Sequence, residues 1–135
     1  MQLTSVLAPT TMRYVLGQRE MEMPVYNWDK LEKAELNPLV FGKIVQTDKA
    51  MVARITCPAG KLMNKHIHDF DQITNMLRGK MKWTIEGEGE YIVGPGDVMV
   101  MKAGVAHSGE VFEEAEYLDI FVPPRQDFSW YKQKL

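Results

Sequence analysis

The sequence predicts an all-β domain, a sandwich or a barrel, and three observations carry that prediction. Between Leu39 and Val122 the apolar residues fall in short runs, each the length of a strand. Gly, Pro and Asp clusters break the runs at Ala59-Gly60, Arg78-Gly79, Glu86-Gly87-Glu88-Gly89 and Gly94-Pro95-Gly96. Within the runs, apolar and polar residues alternate with the period of two that a half-buried strand requires.

In chain order, the first 38 residues are the least regular. Arg13–Leu16 and Pro24–Trp28 have strand character, and Trp28–Leu36 suits one or two helical turns. Residues 1–38 are therefore expected to form an arm that covers a sheet edge or exchanges with another subunit, since small β domains have edges to protect. The strand-rich region runs from Leu39 to Val122. Its strands are expected at Leu39–Gln46, Ala50–Cys57, Gln72–Leu77, Lys80–Glu86, Glu90–Val93, Val98–Met101 and Glu116–Val122. Met81, Trp83 and Ile85 share one face of their strand, with Lys82, Thr84 and Glu86 on the other. Glu116–Val122 is apolar on both faces apart from Asp119, which predicts cover on both sides and a reason for the lone carboxylate. Glu110, Glu113, Glu114 and Glu116 read most simply as a solvated acidic loop. The tail, residues 126–135, carries three aromatics and is expected to pack.

Composition excludes several classes of function. With 135 residues, 45% apolar and 25% charged, the chain suits one folded domain. The net charge of −2 and the lack of any basic stretch argue against nucleic acid or an anionic membrane as partner. No apolar run reaches the ~18 residues of a membrane helix. The first residues lack the basic start of a signal peptide, and the single Cys57 fits a reducing cytoplasm. The ten Met fit core filling, as does the Met99 and Met101 pair.

The chemistry concentrates in His66-Ile-His68-Asp-Phe-Asp-Gln72. In an extended strand, residues i and i+2 point the same way, so His66 and His68 project two imidazoles that one metal ion can bridge. Gln72 heads the next strand, placed to add a side-chain oxygen, and His107 follows about 40 residues later. All three histidines of the chain are then used. Asp69 and Asp71 suit either acceptors for the imidazoles or solvated turn carboxylates. Arg54, Thr74, Met76 and Trp83 are candidates for the barrel interior.

Two motifs give these residues a family. Gly60-x5-His66-x-His68-x3-Gln72-x6-Gly79 resembles the first cupin motif, with Gln in place of the usual Glu. Gly96-x5-Lys102-x-Gly104-x2-His107-x3-Val111 resembles the second, with Lys102 for Pro and Val111 for Asn. The resemblance covers residues 39–125 and implies a double-stranded β-helix there, a jelly-roll barrel with a metal in its mouth held by His66, His68, Gln72 and His107. The cofactor implied is one divalent transition metal, Zn, Ni, Fe, Mn or Cu. A neutral amide leaves the ion's charge uncompensated where Glu would cancel one unit, which favours Lewis-acid over redox chemistry.

Asp119-Ile-Phe121-Val-Pro-Pro-Arg125-Gln-Asp127-Phe128 is similar to the tail of cupins related to KdgF, which process unsaturated uronates to linear keto forms. That resemblance places Asp119, Phe121 and Arg125 beside the metal. Arg125 offers a planar fork for a carboxylate, Asp119 a proton shuttle and Phe121 a wall for a sugar-sized ligand. The bland alternatives are an Asp119–Arg125 ion pair closing the last strand and a Phe121 that only packs. The implied function is a metal-dependent isomerase or lyase acting next to a carboxylate on a small, sugar-derived substrate. The alternatives are an iron-dependent dioxygenase and a non-catalytic binding or sensor cupin. By analogy with small cupins, a homodimer is expected.

Overall fold

The computed structural model describes residues 11–16 and 19–128, with side chains from 25 to 128. The chain divides into two compact units, with the boundary between Glu32 and Lys33. In the first unit, β1 (Thr11–Leu16) and β2 (Arg19–Pro24) pair as an antiparallel hairpin, Leu16 opposite Arg19. The strand expected over Pro24–Trp28 is not formed. The expected helical turns reduce to a single 3₁₀ turn, Trp28–Lys30, capped by the Asn27 side chain, which accepts from the Asp29 N–H at 2.9 Å.

The second unit is entirely antiparallel. Its strands are β3 (Ala34–Asn37), β4 (Val40–Gln46), β5 (Met51–Cys57), β6 (Leu62–His66), β7 (Asp71–Ile85), β8 (Gly89–Val93), β9 (Val98–Met101) and β10 (His107–Val122). They are ordered β3-β4-β5-β10-β7-β8, with β6 on β10 and β9 on β7. The two long central strands explain the shape. The first half of β10 pairs with β6 and with the second half of β7; its second half pairs with β5 and with the first half of β7. One sheet thus folds over into two, the arrangement of an all-β jelly roll.

The long strands correct two sequence expectations. Arg78-Gly79 is not a turn between two strands; β7 runs straight through it. Gly79 has φ +88, and a Cβ there would lie 2.1 Å from the Glu114 carbonyl oxygen, so two backbones meet where only glycine fits. The register with β10 shifts at this point. Burial changes phase with it: Gln72, Thr74 and Met76 face inward before the bulge, and Met81, Trp83 and Ile85 after it. The acidic run is also strand, the middle of β10. Its carboxylates point outward and pair with Lys82, Lys80, Arg78 and Arg54.

Leu39 adopts φ 64, the left-handed turn conformation, so β4 begins one residue later than expected. The core joins Ile44, Met51, Met76, Met81, Met101, Val111 and Phe121, each at most 1% exposed. Five of the methionines, Met99 among them, are buried there. Arg54 lies on the outer face instead of the interior, bonded to Glu116 at 2.7 Å. Phe128 of the tail is buried in a short 3₁₀ turn, Gln126–Phe128; Trp130 and Tyr131 lie outside the described residues, as do residues 1–10.

Candidate functional site

Two of the histidines sit at strand ends and the third in the link between strands, at the barrel mouth. His66 closes β6, His68 lies in the link to β7, and His107 opens β10 directly opposite His66. Their rings come together, with centroids 4.4 Å (His66–His107), 4.7 Å (His68–His107) and 5.7 Å (His66–His68) apart. The ligand nitrogens all lie within 4.8 Å of one another.

Main-chain carbonyls settle the tautomers. Nδ1 of His66 donates to Asn64 O at 2.7 Å, that of His68 to Phe70 O at 2.8 Å and that of His107 to Val105 O at 2.9 Å. A carbonyl only accepts, so each Nδ1 bears hydrogen and each neutral ring presents a bare Nε2. Burial favours the neutral form of two of them: it lowers the pKa of His68 and takes that of His107 to about 4, with the other two histidines adding to the fall at His107. The Nε2 of His107 is buried with no hydrogen-bond partner. Three converging lone pairs, one of them orphaned, suit a cation. The residues present therefore fit a divalent metal site.

Gln72 is buried beside them, its Oε1 3.2 Å from Nε2 of His68. Behind it, Gln72 Nε2 donates to Thr74 Oγ1 at 3.1 Å, and Thr74 donates to Asp119 Oδ1 at 2.6 Å. Asp119 is 4% exposed, and burial pushes its pKa to about 7 against the lowering effects of Thr74, Arg125 and Gln72. A carboxyl poised there takes up and releases protons near neutrality.

Arg125 does not pair with Asp119. Its Nε and Nη2 donate in a fork to Asp127 at 2.9 and 2.6 Å. Burial would raise the Asp127 pKa, but these bonds and the guanidinium charge outweigh it and hold the carboxyl below its usual range. The guanidinium also lies over Phe128 (4.2 Å), Phe121 (5.0 Å) and Phe70 (5.3 Å). Phe121 does not wall the cavity as expected: it is fully buried, edge-on to Phe70, and supports Arg125 from within the core. Phe70 in turn stacks on His68 at 4.0 Å and 8°.

Asp69 and Asp71 do not orient the imidazoles. Asp69 is exposed, and Asp71 accepts from Ala103 N at 2.9 Å, tying two loops of the mouth together. Phe70, Asp127 and Phe128 were not singled out by sequence reasoning, although the Arg-x-Asp spacing of a local fork was a usable signal. Cys57 is inert: its buried thiol contacts the Tyr117 hydroxyl at 3.2 Å, and burial pushes its pKa to about 11. A cavity of about 1300 Å³ opens over the site, lined by Gln72, Trp83, Tyr117, Asp119, Arg125 and Phe128 among others.

A jelly roll with a tri-histidine cluster in its mouth defines a metal-binding cupin architecture. The family model described as "Cupin domain" matches residues 53–121, just over half of the chain, and the chain belongs to the cupin family. Among solved structures it is similar to KdgF from Halomonas sp., with 26% identity and a TM-score of 0.68 over 73% of this chain and 94% of that one. An RmlC-like cupin from Shewanella frigidimarina shares the fold, with 18% identity and a TM-score of 0.71 over 76% and 93%. So does Bacillus subtilis oxalate decarboxylase, a protein with Mn(II) centres, with 20% identity and a TM-score of 0.61 over 73% and 29%. No curated protein matches by sequence. Among the described residues no helix is long and apolar enough to cross a membrane.

Proposed function

We propose that the protein is a metal-dependent isomerase or lyase acting next to a carboxylate on a small, sugar-derived substrate of the unsaturated uronate type. The observation that carries this reading is the buried Asp119 carboxyl, poised at about pKa 7 in the same cavity as Arg125 and the three bare imidazole nitrogens. An isomerisation returns the proton it removes, and a carboxyl poised near neutrality serves both steps. Arg125, held by Asp127 and three phenyl rings, offers its remaining N–H groups to the substrate carboxylate. Phe121 acts by setting the height of that guanidinium. A bound divalent ion supplies Lewis acidity toward a substrate oxygen. The similarity to KdgF supports the substrate class.

The test is the ultraviolet absorbance of a 4,5-unsaturated uronate, followed with fully metallated protein. Its decay is expected to accelerate with protein and to stop with EDTA or with Asp119→Asn. Decay at the uncatalysed rate overturns the substrate reading. Oxygen consumption by the Fe(II)-loaded protein would point to a dioxygenase instead.

The same proposal includes a homodimer. The outer sheet face carries one continuous apolar row, Val100–Ile73–Ile120–Val52–Val45, in cross-strand register. Val98 and Val100 there are 60% and 57% exposed, a surface that suits a second copy. Light scattering is expected to give twice the chain mass, falling to the monomer mass in Val100→Lys. A monomer at high concentration overturns it.

A further inference from the structure

The three imidazoles are aimed by main-chain carbonyls, but Gln72 has no such guide. A carboxamide has two chemically opposite ends, and only the oxygen is a ligand for a hard or borderline cation. What decides which end faces the cluster lies behind it. Thr74, two residues along the same face of β7, is fully buried. Its hydroxyl has one proton, and that proton goes to Asp119 Oδ1 at 2.6 Å. Only lone pairs remain for Gln72, and they take the carboxamide NH₂ at 3.1 Å. The oxygen is thereby turned toward His68, where it faces a nitrogen that also has no proton to give, 3.2 Å away. Two lone pairs set against each other in a buried site favour a cation between them.

We infer that Thr74 is a positioning residue: anchored on the Asp119 carboxylate, it holds Gln72 with its oxygen toward the metal. The acidic group then stands behind the ligand, reached through the Thr74 hydroxyl and by the Gln72 side chain itself, instead of being the ligand. This also accounts for an amide at position 72. A carboxylate there would place two acceptors on a hydroxyl able to donate to only one, with two buried like charges side by side. The inference rests on the metal reading of the cluster and is independent of the proposed reaction.

Co(II) titrated into EDTA-treated, dialysed protein tests it, because its visible absorption reports both affinity and ligand geometry. Thr74→Val, which keeps the shape and removes the hydroxyl, is expected to weaken Co(II) binding about 10-fold or more and to alter the spectrum. Thr74→Ser, which keeps the hydroxyl, is expected to restore both. Unchanged affinity and spectrum in a folded Thr74→Val overturn the inference, whereas wild-type protein that binds no Co(II) overturns the metal reading beneath it. Should Thr74→Val fail to fold, Gln72→Glu is measured with and without Asp119→Asn. The relay predicts that Gln72→Glu raises Co(II) affinity about 10-fold more in the Asp119→Asn background. Equal changes in the two backgrounds overturn it.

Discussion

The two halves of the site are held by different means. In the metal half, every imidazole is oriented by a carbonyl two residues away, Asn64, Phe70 or Val105. In the acid half, Asp119 depends on Thr74, 45 positions distant in the chain. Arg125 is held by side chains instead of carbonyls, by its neighbours Asp127 and Phe128, by Phe121 and by the distant Phe70. Burial acts on both halves with opposite effect: it lowers the pKa of His68 and His107 and raises that of Asp119. In each case the neutral form is favoured, as desolvation demands. Burial thus opposes charge at these three groups, while Arg125 and Asp127 beside them form a fixed ion pair.

Removing a ligand breaks the metal half most completely. His107→Ala deletes a donor that no neighbour replaces, and Co(II) affinity is expected to fall by at least ~100-fold, beyond the usual effect of an outer partner. Asp119→Asn is expected to keep the metal, because an Asn oxygen accepts the same Thr74 proton, while turnover is lost. Elemental analysis of the two purified variants checks this contrast. An Asp119→Asn protein that purifies without metal would merge the two halves into one.

The opposite pKa shifts give opposite pH slopes in the metal-free protein. Between 3.8 and about 7 the folded chain holds a proton on Asp119 that the unfolded chain has released, so this group's contribution to stability falls as pH rises through that window. His107 does the reverse. Between 6.5 and about 4 the unfolded chain takes up a proton that the folded chain refuses, so stability is lost as pH falls. Relative to wild type, Asp119→Asn should gain on the order of 4 kcal/mol across the Asp119 window as pH rises. Urea denaturation of EDTA-treated proteins measures it. A pH dependence identical to that of wild type would mean that Asp119 is already ionised in the fold.

This division also explains what was legible in the sequence. His66-x-His68-x3-Gln72 is readable because its spacing and the carbonyl contacts are local, although His68 falls in the link beyond β6. The all-β class follows from the alternation of Met81, Trp83 and Ile85 and its neighbours, whereas the jelly roll is what the cupin resemblance implies. The link between Asp119 and Thr74 is invisible because it depends on the register of β10 against β7, which one strand alone does not reveal. Gly79 was misread for a related reason. A turn and a bulge both call for a positive φ, and only the Glu114 backbone packed against it distinguishes them. The acidic run looked like a loop because its basic partners, Lys80 and Arg78 among them, lie on the neighbouring strand. β6 escaped notice because Leu62–His66 is largely exposed on both faces and shows no apolar alternation.

A smaller effect is expected where the acid half is held from outside. Asp127→Asn removes the charged side of the Arg125 fork and frees the guanidinium from its fixed plane. If Arg125 receives the substrate carboxylate, KM should rise about 10-fold, with a lesser change in kcat. Steady-state kinetics on the uronate give the split. An equal fall in kcat and kcat/KM with KM constant would place Asp127 in the chemistry instead of in the support of Arg125.

The smallest effect belongs to the acidic residues nearest the metal. Asp69 and Asp71 flank the histidines, yet neither accepts from an imidazole, and Asp71 bonds the Ala103 N–H across the mouth. Asp71→Asn retains one acceptor oxygen, so it should cost about 1 kcal/mol or less, visible as a small shift in Tm. Co(II) affinity should stay within about 2-fold of wild type in both Asp69→Asn and Asp71→Asn, well short of the loss expected from a true outer-shell partner. A 10-fold loss in either would mean that main-chain carbonyls do not suffice to aim the imidazoles. The metal half would then be as dependent on distant side chains as the acid half, and the difference between them would disappear.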